Sequence, residues 1–131
     1  MKIQESAENY LETIFILSQN GNQVRSIDIA HELDYSKPSI SVALKNLRSG
    51  GYIEIDSGGF IKLTESGLKI AKSMHERHTF ISDWLISLGV DKQTAVGDAC
   101  RMEHIISEQS FSAIKNHIEN PKSHNKQKKQ H

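Results

Sequence analysis

Residues 26–63 read SIDIAHELDYSKPSISVALKNLRSGGYIEIDSGGFIKL. The segment holds two helical patterns separated by a tight turn, followed by two short alternating runs around a glycine pair. Ser26 is positioned to cap a short helix with Ile27, Ala30 and Leu33 facing inward. Asp34-Tyr35 forms the turn. Ser36 caps the next helix, with Pro38 in its permissive first turn and Ile40, Ala43, Leu44 and Leu47 on its inner face. Ser49-Gly50-Gly51 stops it. Tyr52-Ile53-Glu54-Ile55-Asp56 alternates as a strand, Ser57-Gly58-Gly59 is a hairpin turn signal, and Phe60-Ile61-Lys62-Leu63 returns. Helix, turn, helix and ribbon in this order is a winged helix-turn-helix, with the helix after Ser36 as the recognition helix.

The flanking sequence is helical. Upstream, Ala7, Tyr10, Leu11, Ile14, Phe15 and Leu17 form one stripe, with Ser6 as the expected N-cap and Asn20-Gly21-Asn22 as the stop. Downstream, Thr64 is expected to cap a long helix to about Leu88, with Leu68, Ala71, Met74, His78, Ile81, Leu85 and Leu88 in line and Gly89 after it. Asp91 caps a fifth helix expected to run to about Ser107. A sixth, from about Ser110, turns Phe111, Ile114 and Ile118 inward and stops before Pro121. The expected class is therefore mainly α. A winged helix-turn-helix DNA-binding domain spans residues 1–72, an all-helical second domain spans 73–120, and a Lys-rich tail, expected to be disordered, spans 121–131.

Composition narrows the function. The chain has 131 residues, 16 basic and 16 acidic, so no global charge draws it to nucleic acid or membrane. Its single cysteine forbids an internal disulfide and fits a reducing cytoplasm. The N-terminal residues carry no signal-peptide pattern, and no apolar run approaches the ~18 residues of a membrane span. The useful charge is local. Residues 35–53 contain no Asp or Glu, but they include Lys37, Lys45 and Arg48 among the hydroxyls of Ser36, Ser39 and Ser41. Such a surface suits phosphate, and a helix N-terminus adds to it. Pro38 and Val42 offer apolar contacts to thymine methyls, Ser26 lies on the preceding helix, and Lys62 stands on the wing. No arginine opens the recognition helix, so specificity leans on DNA shape and dimer spacing.

The second half carries Cys100-Arg101-Met102-Glu103-His104. Thiol, carboxylate and imidazole at i, i+3 and i+4 share one helical face and are ligand types for a divalent transition metal. Each also has an ordinary reading: a cysteine as a small core residue, a Glu-His pair as solvated surface. His78 on the apolar line of the fourth helix needs a polar partner, either a backbone carbonyl or a metal. His75, one turn earlier, is a weaker candidate. Asn9 and Glu12 share a face beside the stripe of the first helix, where capping and solvation are the ordinary roles.

Together these segments resemble the DtxR/MntR family of metal-dependent repressors. The resemblance covers residues 6–118. It rests on Glu8-Asn9-Tyr10-Leu11-Glu12-Thr13-Ile14, the helix-turn-helix, Leu63-Thr64-Glu65-Ser66-Gly67, Arg77-His78 and Asp98-Ala99-Cys100-Arg101-Met102-Glu103-His104. It implies a dimer in which metal bridges the first helix and the dimerisation domain, and the loaded dimer binds double-stranded operator DNA. The implied ligands are Asn9, Glu12, His78, Cys100, Glu103 and His104. The manganese branch has aspartate at Asn9 and glutamate at Cys100, so the thiol resembles the iron branch. That branch's ancillary site needs a carboxylate at Ser82 and a histidine at Val96, and neither is present. At Val42 the iron branch carries a base-reading glutamine. The layout this resemblance leads one to expect is that of the shorter, manganese-type regulators without an SH3-like domain.

Thiolate disfavours Mn(II) relative to softer ions, and Asn9 removes a negative charge. The expected cofactor is therefore Fe(II), with Zn(II) and Mn(II) next, and affinity should fall in acid as thiol and imidazole protonate. No separate catalytic constellation is present, so neither an enzyme nor a small-molecule substrate is expected. A metal-independent winged-helix regulator and a metal-binding scaffold are the remaining alternatives. Phe80, Trp84, Ile105 and Ile106 are the expected dimer surface.

Overall fold

The computed structural model describes residues 5–120; the tail expected over 121–131 lies outside them. The chain divides into two compact units, Met1–Glu76 and Arg77–His131.

The first unit opens with α1 (Glu5–Leu17), which buries Tyr10, Leu11 and Ile14. Ser6 lies inside this helix and is not its cap, because Glu5, a good helix former, is already helical. A 3-10 turn, Gln19–Gly21, follows, with Asn20 and Gly21 at φ 64° and 76°. Such left-handed backbone suits Asn and Gly.

The second helix, α2 (Ser26–Leu33), is capped one residue earlier than expected. The Arg25 backbone N–H donates to the Asp28 carboxylate at 2.9 Å, which places Ser26 within the first turn. With that start, Ile29 is fully buried and Ile27 faces solvent.

Asp34, at φ 55°, turns the chain into α3 (Lys37–Ser49). The Ser36 hydroxyl accepts from the Ser39 N–H at 3.3 Å, and Ile40, Leu44 and Leu47 are buried. The wing is β1 (Ile53–Ile55) paired antiparallel with β2 (Ile61–Leu63) in the register Ile53↔Leu63, Glu54↔Lys62, Ile55↔Ile61. Period-two alternation buries Ile53 and Ile61 and exposes Glu54 and Lys62. The Asp56 carboxylate closes the wing turn by accepting from the N–H groups of Gly58 and Phe60.

The fourth helix, α4 (Glu65–Ser87), begins as expected: the Thr64 hydroxyl accepts from the Gly67 N–H at 3.2 Å and donates to the Gly51 carbonyl at 2.7 Å. Gly67 has a steric reason to be glycine, since a Cβ there would stand 2.0 Å from the Tyr52 carbonyl oxygen. Alanine normally favours a helix interior by ~1 kcal/mol over glycine. Here the opposing backbone must move, and Gly67→Ala is expected to destabilise the first unit by about 2 kcal/mol in urea unfolding.

The second unit comprises the C-terminal part of α4, α5 (Lys92–Ile105) and α6 (Glu108–Glu119). Ile81, Ala99 and Phe111 form its core, with Phe80, Leu85, Met102 and Ile106 packed against them. Asp91 caps α5 through the Thr94 N–H at 3.0 Å. The boundary between α5 and α6 differs slightly from expectation. Ser107 accepts from the Ser110 N–H at 3.0 Å, so α5 stops at Ile105 and α6 starts at Glu108. Leu88, beyond the end of α4, is exposed and not inward. Of the surface expected for a dimer, Phe80 packs edge-on to Phe111 and Ile106 joins the unit's own core, while Ile105 is 75% exposed. Among the described residues, no helix is long and apolar enough to cross a membrane.

Candidate metal centre and nucleic-acid face

In the second unit, α5 carries Cys100, Glu103 and His104, and α4 carries His78. Glu103 is fully buried. Its Oε2 lies 3.1 Å from His78 Nδ1 and its Oε1 lies 3.2 Å from His104 Nε2. A carboxylate taken out of water needs compensation, and here an imidazole nitrogen faces each oxygen. Compensation can come from protons on the rings or from a cation shared by all three groups. One hard oxygen donor and two borderline nitrogen donors converging in a buried place fit a divalent transition metal. The His104 side chain is 3% exposed and that of His78 24%, so His78 is the more exposed of the two rings. Cys100 stands one turn before Glu103 on α5 and is exposed, so it is not a core residue. The structure therefore joins His78, Glu103 and His104 directly.

Arg77 anchors this cluster, a role that sequence reading missed. Its guanidinium is buried and donates to the carbonyls of Glu103 at 3.0 Å and Ile106 at 2.7 Å, and pairs with Glu108 at 2.8 Å. It also lies over the Phe111 ring, 5.4 Å from the centroid. The last turn of α5, which presents Glu103 and His104, is tied down by these bonds. The available signal was a charged residue flanked at helical spacing by Met74 and Ile81.

In the first unit, Asn9 and Glu12 sit mid-helix on α1. Glu12 is 5% exposed, which excludes a simply solvated carboxylate. Asn9 is half-buried and does not cap the helix; its carbonyl accepts from the Thr13 hydroxyl at 2.8 Å. His75 Nδ1 lies 3.8 Å from Glu12 Oε2. Burial, and secondarily the phenol of Tyr35, hold the Tyr10 hydroxyl above its usual pKa, so it stays protonated at neutral pH.

The residues expected to meet DNA are all at the surface. Ser36, Lys37, Pro38, Ser39, Ser41, Val42, Lys45 and Arg48 occupy the start and exposed side of α3, Ser26 opens α2, and Lys62 stands on β2. Ser36 also donates to the Ser39 hydroxyl, so these two are partly engaged with each other. Arg25, absent from the sequence-based set, is exposed with its guanidinium 4.3 Å from the Phe60 ring centroid at the wing. It lies between helical patterns, where periodicity carries no signal.

Residues 2–58 match the family described as iron dependent repressor, N-terminal DNA binding domain, and residues 64–131 match iron dependent repressor, metal binding and dimerisation domain. The transcriptional regulator MntR of Escherichia coli O6:H1 is 34% identical over 112 residues, covering 86% of this chain and 72% of that protein. The iron-dependent repressor IdeR of Mycobacterium tuberculosis is 26% identical over 121 residues, covering 92% of this chain and 53% of that protein. The solved structure of the manganese regulator SloR superposes with a TM-score of 0.73 at 24% identity, covering 88% of this chain and 55% of that one.

Proposed function

The chain belongs to the iron-dependent repressor family of transcriptional regulators, and from that premise we propose that it represses metal-homeostasis genes by binding operator DNA as a homodimer when loaded with Fe(II). The observation that carries this reading is the buried Glu103 carboxylate between His78 and His104.

The proposed ligands are Asn9 and Glu12 from the first unit with His78, Cys100, Glu103 and His104 from the second. The metal supplies a positive charge and a set of directed bonds. His78, Glu103 and His104 offer it a buried, pre-gathered half-site, and Arg77 keeps α5 in the register that presents them. An ion held by both donor groups would restrict the spacing between the two recognition helices of a dimer. Two half-sites accept only one such spacing. Metal and operator then favour the same state, with a coupling of typically ~1–3 kcal/mol.

On DNA, α3 presents its exposed side, with Lys37, Lys45 and Arg48 on phosphates and Val42 and Pro38 toward bases. Replacing Lys45 by alanine is expected to weaken all sequences alike and to lower the salt slope of binding by about 0.9 per site. The check is a salt series by fluorescence anisotropy; an unchanged slope removes Lys45 from the interface.

A manganese response is the second reading. It is favoured by the donors of the buried group, the Glu103 carboxylate and the His78 and His104 nitrogens. Anaerobic operator titrations with Fe(II), Mn(II), Zn(II) and chelator, on wild type and Cys100→Ser, separate the two. An Fe(II) response lost in Cys100→Ser with the Mn(II) response kept supports the iron assignment. Equal Fe(II) responses in both proteins overturn it.

A further inference from the structure

We propose that His75 is a metal ligand of this chain, its Nδ1 sharing a divalent transition metal with the Glu12 carboxylate; this rests on the metal-responsive reading above and extends it to a residue outside the ligand set.

Both side chains belong to the first unit, Glu12 on α1 and His75 on α4. The His75 side chain is 44% exposed, yet its Nδ1 atom is closed off from solvent and makes no hydrogen bond among the described residues. A buried nitrogen in that position costs free energy until something engages it. The nearest acidic atom is Glu12 Oε2 at 3.8 Å. That separation is too long for a hydrogen bond. Two atoms held by one ion stand no farther apart than two coordination bonds, about 4.2 Å for nitrogen and oxygen on zinc. The observed distance lies inside that limit.

The ring is also held in place. Phe15 packs against it at 5.5 Å between centroids, tilted by 60°. With Nδ1 turned toward Glu12, Nε2 is the nitrogen left to donate to another group, as the second nitrogen of a metal-bound imidazole commonly does. An imidazolium–carboxylate ion pair is the ordinary alternative. It differs in one respect: there both ring nitrogens keep their protons.

The consequence is chemical. Beside Asn9, a neutral amide, and Glu12, a hard carboxylate, the first unit gains an imidazole. This donor moves the preference from Mn(II) toward Fe(II), Co(II) and Zn(II).

The test uses the full chain with Zn(II) as the probe. Long-range 1H–15N spectra of the histidine rings report which nitrogen is metallated. On adding Zn(II), the His75 Nδ1 resonance is expected to shift and lose its exchangeable proton, with the remaining proton on Nε2. His75→Phe keeps an aromatic ring against Phe15 and removes the donor. It is expected to weaken Zn(II) binding at least tenfold in chelator competition. If Zn(II) binds the wild type but the His75 nitrogens do not move, the inference fails and the broader reading stands. If the wild type binds no Zn(II), Co(II) or Fe(II), both fail together.

Discussion

Glu103→Gln is expected to lower the chain's affinity for its divalent metal by more than about 100-fold. Losing an outer-shell partner of a metal ligand costs 10- to 100-fold, and Glu103 is proposed as a ligand itself. Its two oxygens are the atoms on which His78 Nδ1 and His104 Nε2 converge, at 3.1 and 3.2 Å. Glutamine keeps the volume and retains hydrogen-bonding groups for both imidazoles, but it removes the charge that a cation needs in a buried place. The metal-free variant should therefore unfold within ~1 kcal/mol of the wild type while its metal affinity collapses. Chelator competition and urea unfolding on the same samples check the two halves. An unchanged affinity would remove Glu103 from the centre.

The second large effect is on stability. Arg77→Met is expected to destabilise the second unit by about 3 kcal/mol or more. The guanidinium serves the carbonyls of Glu103 and Ile106 from a buried position, and hydrogen bonds to charged groups are worth ~1.5–3 kcal/mol each. Methionine fills much of the space but leaves both carbonyls without their donor. The Glu108 contact counts for little, because that side chain is 77% exposed and its pairing is screened. Glu108→Gln should thus cost less than ~1 kcal/mol. Equal losses in the two variants would place the stabilisation in the ion pair and not in the carbonyl bonds. Amide hydrogen exchange along α5 and α6 locates the effect. With the last turn of α5 released, Glu103 and His104 lose their fixed presentation, so Arg77→Met should also weaken metal binding.

Local chemistry made much of the fold readable. Ser36, Thr64 and Asp91 each stand three residues before a backbone N–H that their side chains accept, and all three were assigned correctly as caps. The wing followed from strict alternation around Gly58-Gly59. Ser6 and Ser26 show the limit. A serine near a helix start signals a cap, but its neighbours decide: Glu5 continues α1, and Arg25 with Asp28 opens α2. In α2 it is Ile29 and not Ile27 that enters the core.

The candidate site was legible to the extent that it lies on one helical face. Glu103 and His104 are adjacent in sequence, and His78 interrupts an apolar line. The approach of His78 to Glu103 and of His75 to Glu12 is tertiary, and no spacing encodes it. Arg77 was recognised only as part of a resemblance, because the carbonyls it serves belong to another helix.

The central claim is that metal and operator DNA bind the same state of this protein. The direct measurement is reciprocal: operator affinity with and without saturating Fe(II), and Fe(II) affinity with and without saturating operator, in one anaerobic buffer. Thermodynamic linkage requires the two factors to be equal. A common factor between about 5 and 150 is the expected result. A factor of one in both directions would contradict the claim, leaving a winged-helix protein that binds DNA without regard to metal.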